Sequence, residues 1–113
     1  MNIIKTSKEL NVRERYAMTM SPAMQKMRNC VDQRLDVAAW CLYTDTDSDG
    51  KEQTILSILT PEGEVFATNS PTFQRDFENI VEIFADADED FDAINIISGT
   101  SKAGREFITC TLA

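Results

Sequence analysis

The segment Ile97–Leu112 carries the residue types from which a nucleic-acid site can be built. Two glycines, Gly99 and Gly104, enclose a loop with two hydroxyl side chains and one lysine. Beyond the loop, Arg105 and Phe107 stand two positions apart, so on a strand they occupy the same face. A cation beside an aromatic ring, next to a hydroxyl-rich loop, suits a phosphate and a stacked base. The candidate nucleic-acid-binding residues of this segment are Thr100, Ser101, Lys102, Arg105 and Phe107.

The spacing of Gly99 and Gly104 also matches the glycines of a nucleotide-binding P-loop. That motif requires Lys followed by Ser or Thr, and then a helix whose N-terminus faces the phosphates. Here Arg105 and Glu106 follow in a strand-like sequence, with seven residues left after Glu106. The residues therefore argue against nucleotide hydrolysis.

Two further aromatic residues, Trp40 and Tyr43, lie in a strand-like run and are candidates for base stacking. Stacking of a base on an aromatic side chain is worth ~1–3 kcal/mol and tolerates any sequence. An uninterrupted strand places Trp40 on the opposite face from Val37 and Cys41. Trp40 is the only tryptophan of the chain, and large aromatic side chains are usually mostly buried. A core position and a stacking position for Trp40 therefore both stay open.

Residues suited to catalysis or to holding a cofactor are scarce. The chain has no histidine, which removes the usual general base and the commonest zinc ligand. The three cysteines, Cys30, Cys41 and Cys110, lack metal-binding spacing and are expected to be reduced and buried. The carboxylates crowd into polar turns rather than an apolar cleft that would shift a pKa. We therefore expect no enzymatic activity, no cofactor and no metal ion.

The run Asp45-x-Asp47-x-Asp49-Gly50 resembles the start of a calcium-binding loop. An EF-hand needs a helix on each side and a bidentate Glu at its twelfth position. In this chain the flanks are strand-like and Leu56 occupies the twelfth position. The run is more typical of a solvated hairpin turn, for which Asp and Gly are standard residues; a calcium site is the alternative.

The elements that must position these residues follow from capping signals and periodicity. Thr6–Glu9 fits a capping box for a short helical turn. Ser21 and Pro22 fit the start of a helix, and an apolar stripe from Met20 to Val31 favours packing of that helix into the core. Ser70 and Pro71 begin the helix with the clearest apolar periodicity. The predicted strands are 35–43, 53–60, 64–68, 93–98 and 105–112.

This order predicts an α+β, mainly β protein. Five strands with a helix between the third and the fourth are the order of a Greek-key OB barrel, although other α+β folds can use the same order. The length of 113 residues suits one domain with one core. We therefore expect a single domain over 1–113, with a basic helical lead-in over 1–33 and an OB-like barrel over 34–113.

Charge is distributed unevenly along the chain. The net charge is −8, yet residues 1–34 hold seven Lys/Arg against three acids, and residues 35–113 hold four against sixteen. An acidic protein is not a generic polyanion binder, but a local basic patch can act within the ~8 Å Debye length of the cell. The basic lead-in therefore fits either an arm that contacts nucleic acid or a face that pairs with the protein's own acids.

The second half of the chain resembles the single-stranded-DNA-binding proteins of small tailed, protein-primed bacteriophages. The resemblance covers residues 53–112, and its most specific part is Gly99-Thr100-Ser101-x-x-Gly104-x-x-Phe107. It implies an OB-like barrel without enzymatic activity that coats displaced single strands during phage replication. The basic lead-in and the acidic turn at 45–49 depart from the family pattern.

Two hypotheses of different classes follow. The first is a sequence-tolerant single-stranded-DNA-binding protein, with self-association or replication proteins as further partners. The second is a small acidic interaction protein, such as a phage-encoded inhibitor of a host enzyme or a DNA mimic. The N-terminus has no signal-peptide pattern and no segment is apolar enough to span a bilayer, so a cytoplasmic protein is expected.

Overall fold

The computed structural model describes all 113 residues and contains eight β-strands, two α-helices and one short 3₁₀ helix. The predicted α+β, mainly β class is confirmed. Neither helix has the length and apolar character needed to cross a lipid bilayer. The elements in chain order are β1 (Asn2–Thr6), α1 (Val12–Thr19), β2 (Gln25–Lys26), the 3₁₀ helix (Met27–Cys30), β3 (Gln33–Asp36), β4 (Ala39–Thr46), β5 (Glu52–Leu59), β6 (Val65–Thr68), α2 (Pro71–Asp86), β7 (Ala93–Thr100) and β8 (Glu106–Leu112).

The strands form two sheets, so the closed barrel expected from the sequence is wrong. The larger sheet has the order β1-β4-β5-β6-β2, and the smaller one has the order β3-β7-β8. The predicted strand 35–43 is interrupted at Val37 and Ala38. The Val37 N–H donates to the Asp92 carbonyl on the side of the small sheet, and the Ala38 N–H donates to the Leu59 carbonyl of the large sheet (both 2.8 Å). The chain thus crosses from one sheet to the other at these two residues.

The first third of the chain departs most from the sequence-based expectation. The residues predicted to cap a helical turn at Thr6 instead end β1, which pairs antiparallel with β4. The first helix begins after Asn11, not at Ser21. The Ser21 hydroxyl accepts a hydrogen bond from the Ala23 N–H (3.1 Å), but the chain then enters β2, which pairs parallel with β6. Backbone pairing with a distant strand therefore outweighs the local helix signal.

The second helix, α2, forms where its start signals predict. The Ser70 hydroxyl accepts from the Phe73 N–H, and Pro71 occupies the first turn. Phe73 and Phe77 are fully buried, which places the apolar stripe of α2 against the sheets. The Gln74 side chain donates to backbone carbonyls of β5 and of the end of β6, at 2.9 and 3.2 Å. This anchor fixes the first turns of α2 relative to the large sheet.

Strand β4 is buried on both faces because α1 covers one face and α2 the other. Residues alternate along a strand, so Trp40 and Leu42 point to the α2 side and Cys41 and Tyr43 to the α1 side. The main core on the α2 side joins both sheets to α2, and a smaller core lies beneath α1. Val37 packs with Trp40 in the main core rather than opposite to it, because the break at Val37–Ala38 resets the alternation.

Candidate nucleic-acid interface

A groove of about 520 Å³ lies between β5 and β6, the segment around Met27 and the start of β8. Its walls combine apolar side chains, amide and hydroxyl groups, and two cations. The residues that line it are Lys26, Met27, Arg28, Gln53, Ile55, Ala67, Thr68, Asn69, Ser70, Glu106, Phe107 and Ile108. This groove, called the β8 groove below, brings the basic lead-in to the aromatic residue of the 97–112 segment, two features far apart in sequence.

Phe107 is positioned by a glycine on the neighbouring strand. Gly99 and Phe107 are cross-strand partners in the β7–β8 pair. A Cβ atom at Gly99 would lie 2.6 Å from Cζ of Phe107, so the ring occupies the space that any side chain at 99 would need. On the same strand, the Thr109 hydroxyl donates to the Asp76 carboxylate of α2. Strand β8 is therefore anchored to β7 by pairing and to α2 through Thr109. The half-buried Phe107 ring lies over Gly99 and also lines the groove.

The loop between β7 and β8 is a tight turn that presents Lys102. The Gly104 N–H donates to the Ser101 carbonyl (2.9 Å), and the Ser101 N–H donates to the Arg105 carbonyl (2.8 Å). Gly104 has a φ of +80°, a left-handed conformation that favours glycine. The Ser101 hydroxyl accepts from the Arg105 N–H (3.2 Å) and so closes the turn. Ser101 thus stabilises the turn, and Lys102 is exposed at its tip.

Four exposed cations, on the 26–28 segment and on the turn between β7 and β8, have no carboxylate partner. They are Lys26, Arg28, Lys102 and Arg105, none of which takes part in an ion pair. The ion pairs of the protein lie elsewhere and are Lys8–Glu14, Arg34–Asp36 and Arg75–Asp76. Lys26 and Arg28 line the β8 groove together with one carboxylate, Glu106. Lys102 and Arg105 lie on the turn that leads into β8 and are not part of the groove lining. All four cations are available to phosphates.

Lys26 and Arg28 were not singled out as site residues from the sequence. They flank Met27, which is almost fully buried, whereas both cations are exposed. The order cation, apolar residue, cation in the sequence indicates that the apolar side chain points inward and that both cations point outward. Their approach to β8 depends on the parallel pairing of β2 with β6, which no local pattern predicts.

Trp40 and Tyr43 are placed in the two cores rather than on an open surface. Trp40 is 6% exposed and packs edge-on against Phe77, with ring centroids 5.6 Å apart. Tyr43 is 1% exposed, and its hydroxyl donates to the Thr19 carbonyl at the end of α1 (3.5 Å). Burial raises the pKa of the Tyr43 hydroxyl. Neither ring lines the β8 groove. The edge of Trp40 borders a different groove beside α2, and Tyr43 is covered by α1.

The acidic run at 45–49 forms the turn between β4 and β5. The Asp47 carboxylate accepts hydrogen bonds from the N–H groups of Asp49 and Lys51 (both 2.9 Å), and Gly50 has a φ of +80°. This is the hydrogen bonding of an Asx-type turn, in which the carboxylate stabilises the loop itself. The structure contains no group of three or more side chains placed to hold a metal ion.

Comparison with known proteins identifies the same class that the sequence motif indicates. The family model for Phage Single-stranded DNA-binding protein matches residues 12–113. The Single-stranded DNA-binding protein of Bacillus phage B103 is 26% identical over 90 residues, which are 76% of this chain and 74% of that protein. No solved structure matches the chain. The resemblance based on residues 53–112 is confirmed, and the family match also includes α1, β2 and β3.

Proposed function

Because the chain belongs to the family of phage single-stranded-DNA-binding proteins, we propose that it binds single-stranded DNA in the β8 groove without reading the sequence. Its role in this proposal is to coat displaced strands during phage DNA replication in the cytoplasm of the host cell. It acts by binding alone and performs no chemistry on the strand.

The observation that supports this proposal best is the position of Phe107 in one groove with Lys26 and Arg28, two cations without carboxylate partners. An aromatic ring offers a stacking surface to any base, and cations attract the phosphates on either side. Stacking and charge contacts depend little on which base is present, since neither reads the hydrogen-bonding edges of the bases. The geometry therefore favours sequence-tolerant binding.

The order of connections supports an open, OB-like Greek key as the frame for this groove. The segment from β3 through β4 serves as its first strand, since it pairs with β5 on one side and with β7 on the other. In OB folds, ligands lie across the second and third strands, between the loop after strand one and the loop before strand five. Here those parts are β5, β6, the 45–51 turn and the 101–104 turn. The β8 groove is lined by residues of β5 and β6, which supports this correspondence, whereas neither turn contributes a lining residue.

The acidic charge of the protein limits how such a groove can work. With a net charge of −8, long-range attraction to a polyanion is absent, so affinity must come from contacts inside the groove. The carboxylates of Glu106 and of the acidic turn at 45–49 repel phosphates that come close to them. Binding should therefore be moderate and salt-sensitive, with the stacked ring supplying the part that salt does not remove.

Titration of a fluorescent oligo-dT by anisotropy tests the proposal. Phe107→Ala should weaken binding by roughly 5- to 150-fold, the equivalent of ~1–3 kcal/mol of stacking. Arg105→Ala should weaken it less and should also reduce the salt dependence. Lys8→Ala is the matched control, because Lys8 is paired with Glu14 and lies outside the β8 groove. Absence of binding at tens of micromolar protein and low salt would contradict the proposal.

A further inference from the structure

A second groove, of about 770 Å³, lies beside the C-terminal half of α2. It runs between α2 on one side and the segments 5–8 and 37–40 on the other. Trp40, Phe84 and Phe91 are among its lining residues, and Phe91 packs against Phe84 at a centroid distance of 5.5 Å. This α2 groove thus has an aromatic floor, which favours apolar side chains and, through the ring faces, cations.

The rim of the α2 groove is acidic on the helix side. Four carboxylates line it, and none takes part in an ion pair; they are Glu78, Glu82, Glu89 and Asp90. Glu78 and Glu82 belong to α2, and Glu89 and Asp90 follow its C-terminal end, where the helix dipole carries partial negative charge. Like charges along this rim repel one another, and those nearest the helix end also repel the dipole. On the opposite wall stand Lys5 and Lys8, and Lys8 is held by Glu14. A cationic group docked at the α2 side would relieve this repulsion.

The same chain carries a surface with the complementary character on α1. Val12, Tyr16 and Met20 follow one another at intervals of four residues and are 79%, 54% and 61% exposed. Arg13 lies beside this stripe, is exposed and has no ion-pair partner. Apolar residues at this spacing form one face of a helix, and here more than half of each side chain on that face is exposed.

We propose that the exposed stripe of α1 in one copy docks into the α2 groove of a second copy, with Arg13 at the acidic rim. Within one molecule the stripe is exposed, so it does not occupy the molecule's own α2 groove. The contact joins two unlike surfaces, and such a contact produces an open chain of copies when it is neither returned within a pair nor closed into a ring. Such a chain would place neighbouring β8 grooves in succession along one strand.

Sedimentation velocity on the full-length protein without DNA, from about 5 to 500 µM, tests this contact. We expect the weight-average mass to rise with concentration at low salt and the rise to diminish as salt screens the charges. Tyr16→Ala and Arg13→Glu should each raise the dissociation constant by about tenfold or more, through lost burial and through a like-charge contact respectively. Lys51→Glu carries the same charge change at the 45–51 turn and should leave association unchanged.

A charge exchange makes the test specific for these two surfaces. Arg13→Glu and Glu82→Arg should each impair association alone, and an equimolar mixture of the two variants should restore it. The emission of Trp40, the only tryptophan, should shift with concentration in the wild type and not in Arg13→Glu. A monomer at every concentration, or association that all these variants leave unchanged, would overturn the proposal.

Failure of the self-association proposal can be distinguished from failure of the proposed DNA binding. Arg13 lies outside the β8 groove, so Arg13→Glu should bind a short oligonucleotide, with room for one protein, as the wild type does. The same variant should lose cooperativity on a long strand. Loss of short-oligonucleotide binding in the Arg13→Glu variant would contradict this separation and assign Arg13 to the DNA interface.

Discussion

Substitution of Gly99 by alanine tests the role of Phe107 without removing any atom of its ring. The added Cβ would lie 2.6, 3.1 and 3.2 Å from Cζ, Cε2 and Cε1 of Phe107. Carbon atoms in contact are ~3.5–4.0 Å apart, so the ring must move by about 1 Å. The ring projects from the partly exposed end of β8, and the backbone of Gly99 is not left-handed. We therefore expect the ring to be displaced and the fold to be retained.

The predicted consequence is weaker DNA binding. If Phe107 stacks on a base, the loss lies within the ~1–3 kcal/mol of one stacking contact, or roughly 5- to 150-fold in Kd. The assay is oligo-dT anisotropy with Gly99→Ala, Phe107→Ala and the double variant, and thermal unfolding of each serves as the control for folding. Because the alanine at 99 acts only through the ring, it should have no further effect in the Phe107→Ala background. The coupling free energy of the two substitutions in DNA binding should thus nearly equal, in magnitude, the effect of Gly99→Ala alone.

Two results would refute this reasoning. Gly99→Ala with wild-type affinity and wild-type thermal stability would mean that the placement of the ring does not matter for binding. Effects that add in the double variant would mean that Gly99 acts on the backbone and not through Phe107.

Three further predictions concern stability and the buried aromatic residues. Asn11→Ala should lower the free energy of unfolding by about 1 kcal/mol, because the Asn11 side chain accepts a hydrogen bond from the Glu14 N–H (2.8 Å). Urea titration measures this loss, and Asn11→Ser should retain most of the wild-type stability. An unchanged urea midpoint in Asn11→Ala would contradict the prediction. Burial raises the pKa of the Cys110 thiol from 9.0 to about 12, so this thiol stabilises the fold fully below pH 9 and loses that contribution as pH rises toward 12. Between these pH values the free energy of unfolding should fall by up to ~1.4 kcal/mol per pH unit because of this group. Cys110→Ala should be less stable at pH 7 but should lose stability less steeply as pH rises. Equal pH slopes in the wild type and in Cys110→Ala would contradict the prediction. Finally, a short oligo-dT should leave the fluorescence of Trp40 nearly unchanged, because its ring packs on Phe77 in the core; strong quenching would place Trp40 on the DNA.

Local sequence signals correctly predicted the elements whose residues interact mainly with near neighbours in the sequence. The Ser70–Pro71 cap and the apolar stripe predict α2, which ends at Asp86. The β5–β6 hairpin and the two last strands also appear within one or two residues of the predicted bounds. The 97–112 segment forms a strand, a glycine turn and a strand, as predicted, and Phe107 reaches a groove. In these cases capping, alternation and turn chemistry agree with the tertiary packing.

Features that depend on distant pairing could not be read from the sequence. The stripe from Met20 to Val31 looks helical, yet Met20 is exposed and Met27 is buried in the main core, because β2 pairs with β6. Tyr43 appears available on a strand, but α1 lies over its face. The closed barrel fails at Val37–Ala38, where successive N–H groups bond to different sheets. Each outcome is decided by long-range hydrogen bonds and burial, which override local preference.

The salt dependence of oligo-dT binding by the wild type and by a groove variant tests the central claim most directly. One phosphate contact for each of the exposed cations Lys26, Arg28, Lys102 and Arg105 predicts a slope of log K against log salt of about −2.8, at ~0.7 per neutralised phosphate. Lys26→Ala should reduce the slope by about 0.7, whereas Phe107→Ala should lower affinity and leave the slope unchanged. A slope near zero, or a wild-type slope and affinity in both variants, would contradict binding of single-stranded DNA in the β8 groove.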